Sequence, residues 1–201
     1  MIVIGITGGI ASGKSTVSKI FQQEHNAYIF DADKEAKLLL LNKEISEEIL
    51  HTFPDLKNTN PLSMSKVVFK NEENQKKLNA ILHPAVNAEL LKRIETIRHE
   101  KKHTIFIVDA ALIIESGSHQ YYNEFNLPLI LITSLESVRI ERALARENLS
   151  LETIQERIKL QWSDEKKKEY ANYIIENNSS IANFEFEVEK LIQTIINDTK
   201  S

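Results

Sequence analysis

Ile2-Val3-Ile4-Gly5-Ile6-Thr7 runs straight into Gly8-Gly9-Ile10-Ala11-Ser12-Gly13-Lys14-Ser15, and that junction decides the fold. The first six residues are an apolar run of strand length that ends in glycines, the pattern of a buried strand. From Ser15 to Glu24 the pattern changes period, with Val17, Ile20 and Phe21 spaced for one helix face. Between them lies G-x-x-x-x-G-K-S, a glycine-rich loop placed after a strand and opening a helix.

That context gives the loop its chemistry. Glycines let successive backbone N–H groups curl around phosphate oxygens. The start of the helix adds partial positive charge to the same place. Gly9, Ala11, Ser12, Gly13, Lys14, Ser15 and Thr16 are therefore the candidate nucleotide contacts. Lys14 reaches toward β- and γ-phosphates, the Ser15 hydroxyl is a candidate Mg²⁺ ligand, and Thr16 can touch an α-phosphate. The plain alternative is a glycine-rich turn. The strand-loop-helix placement and the lysine favour a nucleotide site.

Outward from the loop, four more short apolar runs read as strands: Tyr28-Ile29-Phe30, Thr104–Val108, Pro128–Thr133 and Tyr173-Ile174-Ile175. Helical patterns fill the gaps, and strands alternating with helices argue a parallel sheet covered on both faces. The interval from Asp33 to Lys102 is too long for one crossover and holds no convincing strand, so it is expected to be a helical insertion. Glu136–Tyr170 is also helical and dense in charge. Thr52–Pro61, with two prolines, is the expected flexible loop, and Pro84 is expected to forbid a continuous helix where it stands. The expected fold is α/β: a P-loop kinase fold with a five-stranded parallel sheet flanked by helices.

The totals exclude several functions. The chain has 201 residues, 42% hydrophobic and 27% charged, with a net charge of −4. An acidic balance argues against nucleic acid, whose phosphates call for clustered Lys and Arg. With no cysteine there are no disulfides, thiolate nucleophiles or thiolate metal sites, which fits a reducing compartment. Met1–Thr7 is only strand-length, so no signal peptide is expected. No apolar run approaches the roughly 20 residues of a membrane span. The expected location is the cytoplasm, with no membrane and no obligate protein partner.

Charged residues at strand ends come next. Asp31 and Asp33 follow the second strand, at the edge where open α/β sheets bind ligands. A carboxylate there can take the proton of an attacking hydroxyl, or it can simply cap the next helix. Asp109 ends the third strand, as does an acid that holds Mg²⁺ directly or through water. Glu115, six residues later, can bind substrate or face solvent. Arg139, Arg142 and Arg146 share one helix face by spacing. A lid carrying them would neutralise a transferring phosphoryl group, whereas a solvated helix face is the simpler alternative. No second His stands at metal-ligand spacing from His83.

Thr7–Thr16, Asp31-Ala32-Asp33, Leu82-His83-Pro84, Asp109…Leu112…Glu115, Arg142 and Arg146, Gln161, and Ala171…Asn177 together resemble the dephospho-CoA kinase family, in order and spacing from Met1 to about Asn178. The resemblance implies ATP as phosphoryl donor with Mg²⁺, and the ribose 3′-hydroxyl of dephospho-CoA as acceptor, the last step of coenzyme A synthesis. It implies a core of about 1–33, 103–136 and 171–201, a helical substrate domain of about 34–102 and a lid of about 137–170. Asp33 matches the family's base and Arg142 its lid arginine. Arg146 and Asn177 match nucleotide contacts, and Asp31, Lys37, His83, Asp109 and Glu115 match the acceptor side. Some residues depart from the family pattern. Ala11 replaces a glycine, Lys37 and Asn87 replace arginines, Ala111 a proline, Arg139 a glutamine and Asn172 an aspartate. The rival readings are a kinase for another nucleoside or nucleotide, and a nucleotide-driven binding switch. Against the switch, the chain has no Asn-Lys-x-Asp guanine signature.

Overall fold

The computed structural model describes residues 1–60, 63–64, 67–68, 72–121, 127–146 and 150–198, without the side chains of 72, 121 and 146. Five strands form one sheet: β1 (Ile2–Gly8), β2 (Tyr28–Asp31), β3 (Ile105–Asp109), β4 (Leu129–Thr133) and β5 (Tyr173–Glu176). Their order is β2-β3-β1-β4-β5. β1 pairs in parallel with β3, placing Ile6 opposite Asp109, and with β4, placing Thr7 opposite Leu131; β4 pairs in parallel with β5. The five-stranded parallel sheet expected from the sequence is the one observed.

Period-2 alternation sorts the side chains. Ile4, Ile6, Ile105, Ile107, Ile130 and Ile132 point to one face. There they meet Val17 and Phe21 of α1 (Lys14–Glu24) and Phe184, Val188, Ile192 and Ile195 of the C-terminal helix Ile181–Asp198. The opposite face buries Phe106, Val108 and Leu131. β1 is central, and the chain builds outward from it in both directions. The loop after β1 therefore sits at the switch point where open sheets bind ligands.

The chain divides into two compact units, Met1–Phe30 with Ile97–Ser201, and Asp31–Thr96. In the second, α2 (Ala32–Leu39), α3 (Lys43–Thr52) and most of α4 (Glu72–Glu100) are helical. Its own core gathers Ile49, Phe53, Leu56, Met64, Val68, Leu78 and Leu82. Residues 53–60 are irregular, with Phe53 and Leu56 buried and Thr59 Oγ1 donating to the carbonyl of Leu40 at 3.2 Å; Pro61 of the expected loop lies outside the described residues. One expectation changes here. Pro84 lies inside α4, which continues through it. A mid-helix proline costs on the order of 3 kcal/mol. The buried stripe Leu78, Leu82, Val86, Leu90, Ile94 and Ile97 supplies more than that by apolar burial.

Among the described residues of the first unit, four further helices follow: α5 (Ser118–Tyr121), α6 (Glu136–Arg146), α7 (Leu151–Lys159) and α8 (Asp164–Lys168). The C-terminal helix is α9.

Candidate active site

The phosphate loop turns on three residues with left-handed backbone: Ala11 at φ 56°, Gly13 at φ 112° and Gly8 at φ 155°. A Cβ on Gly8 would press on the carbonyl of Ile132 and on Ser12 Oγ. Ala11 holds a conformation that costs an L-residue about 1–2 kcal/mol, small enough for the surrounding contacts to enforce. Lys14 folds back so that its Nζ donates to the Gly8 carbonyl at 3.3 Å, which sets the ammonium across the mouth of the loop. The residues after Gly13 then enter α1, where Thr16 and Val17 N–H both reach the Gly13 carbonyl.

Distant residues hold the loop in shape. Asn177, 7% exposed just beyond β5, donates from Nδ2 to the Ser12 carbonyl at 2.8 Å. Its amide nitrogen takes the place a Cβ on Gly13 would need. Gln161 Oε1 accepts from the Ile10 N–H at 2.9 Å. Arg142 on α6 donates to the Asn177 carbonyl at 3.0 Å and to Asn177 Oδ1 at 3.1 Å. Its NH1 also lies 3.4 Å from Ser134 Oγ. The arginine expected on a lid face is thus tied to the same asparagine that supports the loop.

Asp109 ends β3 beside β1, and its Oδ2 accepts from Ser18 Oγ at 2.7 Å. Ser18 lies one turn after the exposed Ser15 on α1. The pairing aims the Asp109 carboxylate at the helix whose first turn carries Ser15. Two oxygen donors of this kind suit a hard divalent cation that takes its remaining ligands from phosphates and water. Among the described residues no cluster of three or more His, Cys, Asp or Glu forms a metal cage.

Glu115 is directed inward. Its Oε1 lies 2.7 Å from Nζ of the fully buried Lys167 and accepts from the Trp162 N–H at 3.2 Å. The Arg146 side chain lies outside the described residues.

In the second unit, Asp31 caps α2: its Oδ1 accepts from the Lys34 N–H at 2.8 Å. Asp33 lies in the first turn of that helix, exposed. Lys37 follows four residues on, so the two share a face. His83 is half-buried on α4, and burial holds its imidazole below the ordinary 6.5.

Sequence reasoning missed Ser18 and Lys167. A serine three residues after Ser15, on the buried side of α1, was the available signal for the first. Lys167 sits among three consecutive lysines, and nothing local marks which one turns inward.

A glycine-rich phosphate loop at the switch point of a 2-3-1-4-5 parallel sheet, with an acid on the neighbouring strand, defines a P-loop kinase. The sequence pattern of the dephospho-CoA kinase family matches residues 2–183. A dephospho-CoA kinase from Fusobacterium nucleatum is 36% identical over 200 residues, spanning 97% of this chain and 99% of its own. The dephospho-CoA kinase structure from Campylobacter jejuni superposes with a TM-score of 0.68 at 31% identity, covering 98% of each chain. Shikimate kinase from Acinetobacter baumannii, at 16% identity and a TM-score of 0.59, covering 98% of this chain and 94% of its own, shares the fold. The chain belongs to the dephospho-CoA kinase family. It is a transferase, and its reaction is the ATP-dependent phosphorylation of dephospho-CoA in coenzyme A biosynthesis.

Proposed function

We propose that Asp33 takes the proton from the ribose 3′-hydroxyl of dephospho-CoA as that oxygen attacks the γ-phosphorus of ATP held on Ala11–Thr16. The bond from the γ-phosphorus to the bridging oxygen breaks, and ADP leaves with the electron pair. Lys14 and Arg142 balance charge on the moving phosphoryl group. The observation that carries this reading is the loop itself, pre-shaped by Asn177 and Gln161 and fronted by the Lys14 ammonium.

Ser15 and Asp109 are the residues that would hold Mg²⁺. When bound with the nucleotide, the ion neutralises phosphate charge. The arrangement of oxygen donors around α1 supports that assignment.

The helical unit is the acceptor domain in this reading, and 137–170 the lid. Asp31, Lys37 and His83 serve the acceptor, with Asp109 and Glu115 bordering it. Arg146 and Asn177 serve the nucleotide. Asp33 and Lys37, one turn apart on an exposed helix face, set a base beside a cation, which suits an acceptor that carries phosphates. The absence of cysteine and the use of ATP support a cytoplasmic location. The reaction needs no nucleic acid, membrane or obligate protein partner. Among the described residues no helix is long and apolar enough to cross a membrane.

A coupled ADP-release assay with dephospho-CoA, adenosine and AMP as acceptors tests the reading. Turnover is expected with dephospho-CoA far above the other two. Equal turnover with adenosine would overturn the acceptor assignment.

A further inference from the structure

Arg139 is a buried cation that the phosphoryl-transfer reading leaves unused. It lies on α6 and is 8% exposed. Its NH1 occupies the place a side chain at Gly9 would take, and its Cζ is 3.0 Å from that place. The guanidinium therefore packs directly on the phosphate loop, beside the Gln161 oxygen that accepts from Ile10. Among the described residues no carboxylate pairs with it, and its Nε has no hydrogen-bond partner.

A guanidinium stays charged at any pH a protein survives. A buried charge is costly unless an opposite charge or a full set of acceptors meets it. The group that brings negative charge to this loop is the nucleotide's phosphate chain. We propose that Arg139 is a positioning residue for the nucleotide: its charge, seated against the loop at Gly9, is balanced by bound di- or triphosphate rather than by a protein carboxylate. This rests on ATP occupying Ala11–Thr16. It deepens that reading by assigning a second cation seated on the loop, at Gly9, in addition to Lys14 at Gly8.

The proposal separates two properties that a packing role would tie together. In the nucleotide-free protein an unbalanced buried cation is a burden, so Arg139→Gln should leave thermal stability unchanged or raise it. With nucleotide, the same variant should lose roughly tenfold or more in affinity for ATP and ADP, the scale of one charge-assisted contact. Adenosine, which lacks phosphate, should bind as it does to the unaltered enzyme. Arg139→Lys should recover most of the loss. Gly9→Ala supplies an independent route: its backbone is not in the left-handed region, so the added methyl meets chiefly the guanidinium. It should weaken ADP binding by displacing the guanidinium from the loop while the arginine itself is retained.

Calorimetric titration of ATP, ADP and adenosine into the four proteins, with melting curves of each without nucleotide, decides the matter. An Arg139→Gln protein that melts earlier without nucleotide yet binds ATP and ADP like the unaltered enzyme overturns the proposal and leaves Arg139 a packing residue. Unaltered enzyme that fails to bind ATP would overturn the nucleotide reading and this proposal with it, a result easily told apart from the first.

Discussion

Asn177 and Ser12 are separated by 165 residues, yet the Asn177 side-chain amide donates to the Ser12 carbonyl at 2.8 Å in a buried setting. Asn177 Oδ1 at the same time receives Arg142. One amide thus joins the loop, the end of β5 and the middle of α6. Asn177→Ala leaves the Ser12 carbonyl and the Arg142 guanidinium each short of a partner. The expected loss is about 2–3 kcal/mol of stability, with weaker ATP binding because the loop is no longer held open. Urea unfolding beside an ATP titration checks both, and unchanged ATP affinity would remove Asn177 from the nucleotide site.

Lys14 and Arg142 should differ in what they cost. Lys14→Ala removes the cation at the mouth of the loop without disturbing any core contact. It should fold normally and lose nearly all phosphoryl transfer. Arg142→Ala should reduce turnover at saturation more than ATP affinity, the mark of a group that meets charge developing in the transition state. Steady-state kinetics separates the two parameters. Loss confined to ATP binding would assign Arg142 to loop support through Asn177.

Asp31 is the N-cap of α2 and Asp33 lies in its first turn. Asp31 spends an oxygen on the Lys34 N–H, and asparagine caps a helix nearly as well. Asp31→Asn should therefore cost well under about 1 kcal/mol and leave turnover largely intact. Asp33→Asn keeps the shape of the side chain but cannot take a proton, so turnover should fall roughly a hundredfold or more while dephospho-CoA still binds. Comparing turnover and acceptor affinity in the two variants tests the order. A slower Asp31→Asn enzyme reverses the assignment.

Glu115 and Lys167 form a pair with side chains 10% and 0% exposed. Glu115→Gln strands a fully buried ammonium. Breaking such a pair costs about 3–5 kcal/mol, whereas replacing both partners with apolar residues is often neutral. The single variant should unfold at markedly lower denaturant, and Glu115→Leu combined with Lys167→Met should recover most of the loss. If Glu115→Gln is as stable as the parent, the pair contributes no net stability.

His83 gives a pH dependence whose sign is fixed. Burial lowers its folded pKa below the ordinary 6.5, so the unfolded chain binds the proton more readily than the native one. Its contribution to stability is complete above 6.5 and is lost as pH falls through the depressed folded value. As pH falls from neutral, the melting temperature of the parent should drop relative to that of His83→Gln. Parallel curves would show that His83 titrates alike in both states.

The sequence by itself determined the sheet and the loop. Both are contiguous patterns: Ile2–Thr7 is a continuous apolar run that reads as a buried strand, and Gly8–Ser15 carries its phosphate chemistry in consecutive backbone N–H groups. Each of the other strands is likewise a short apolar run, so all five were legible. Tertiary structure alone decided what supports the loop. Gln161 meets Ile10 across 151 residues, and Arg139 meets Gly9 only because α6 packs beside β1's exit. Spacing along the chain carries no information about such approaches. It showed three arginines on one face but not that Arg142 would bond Asn177 while Arg139 is buried at Gly9. Pro84 makes the same point in the opposite direction. Local propensity forbids a helix there, and the apolar stripe of α4 overrides it because packing energy summed over six buried side chains exceeds one lost hydrogen bond.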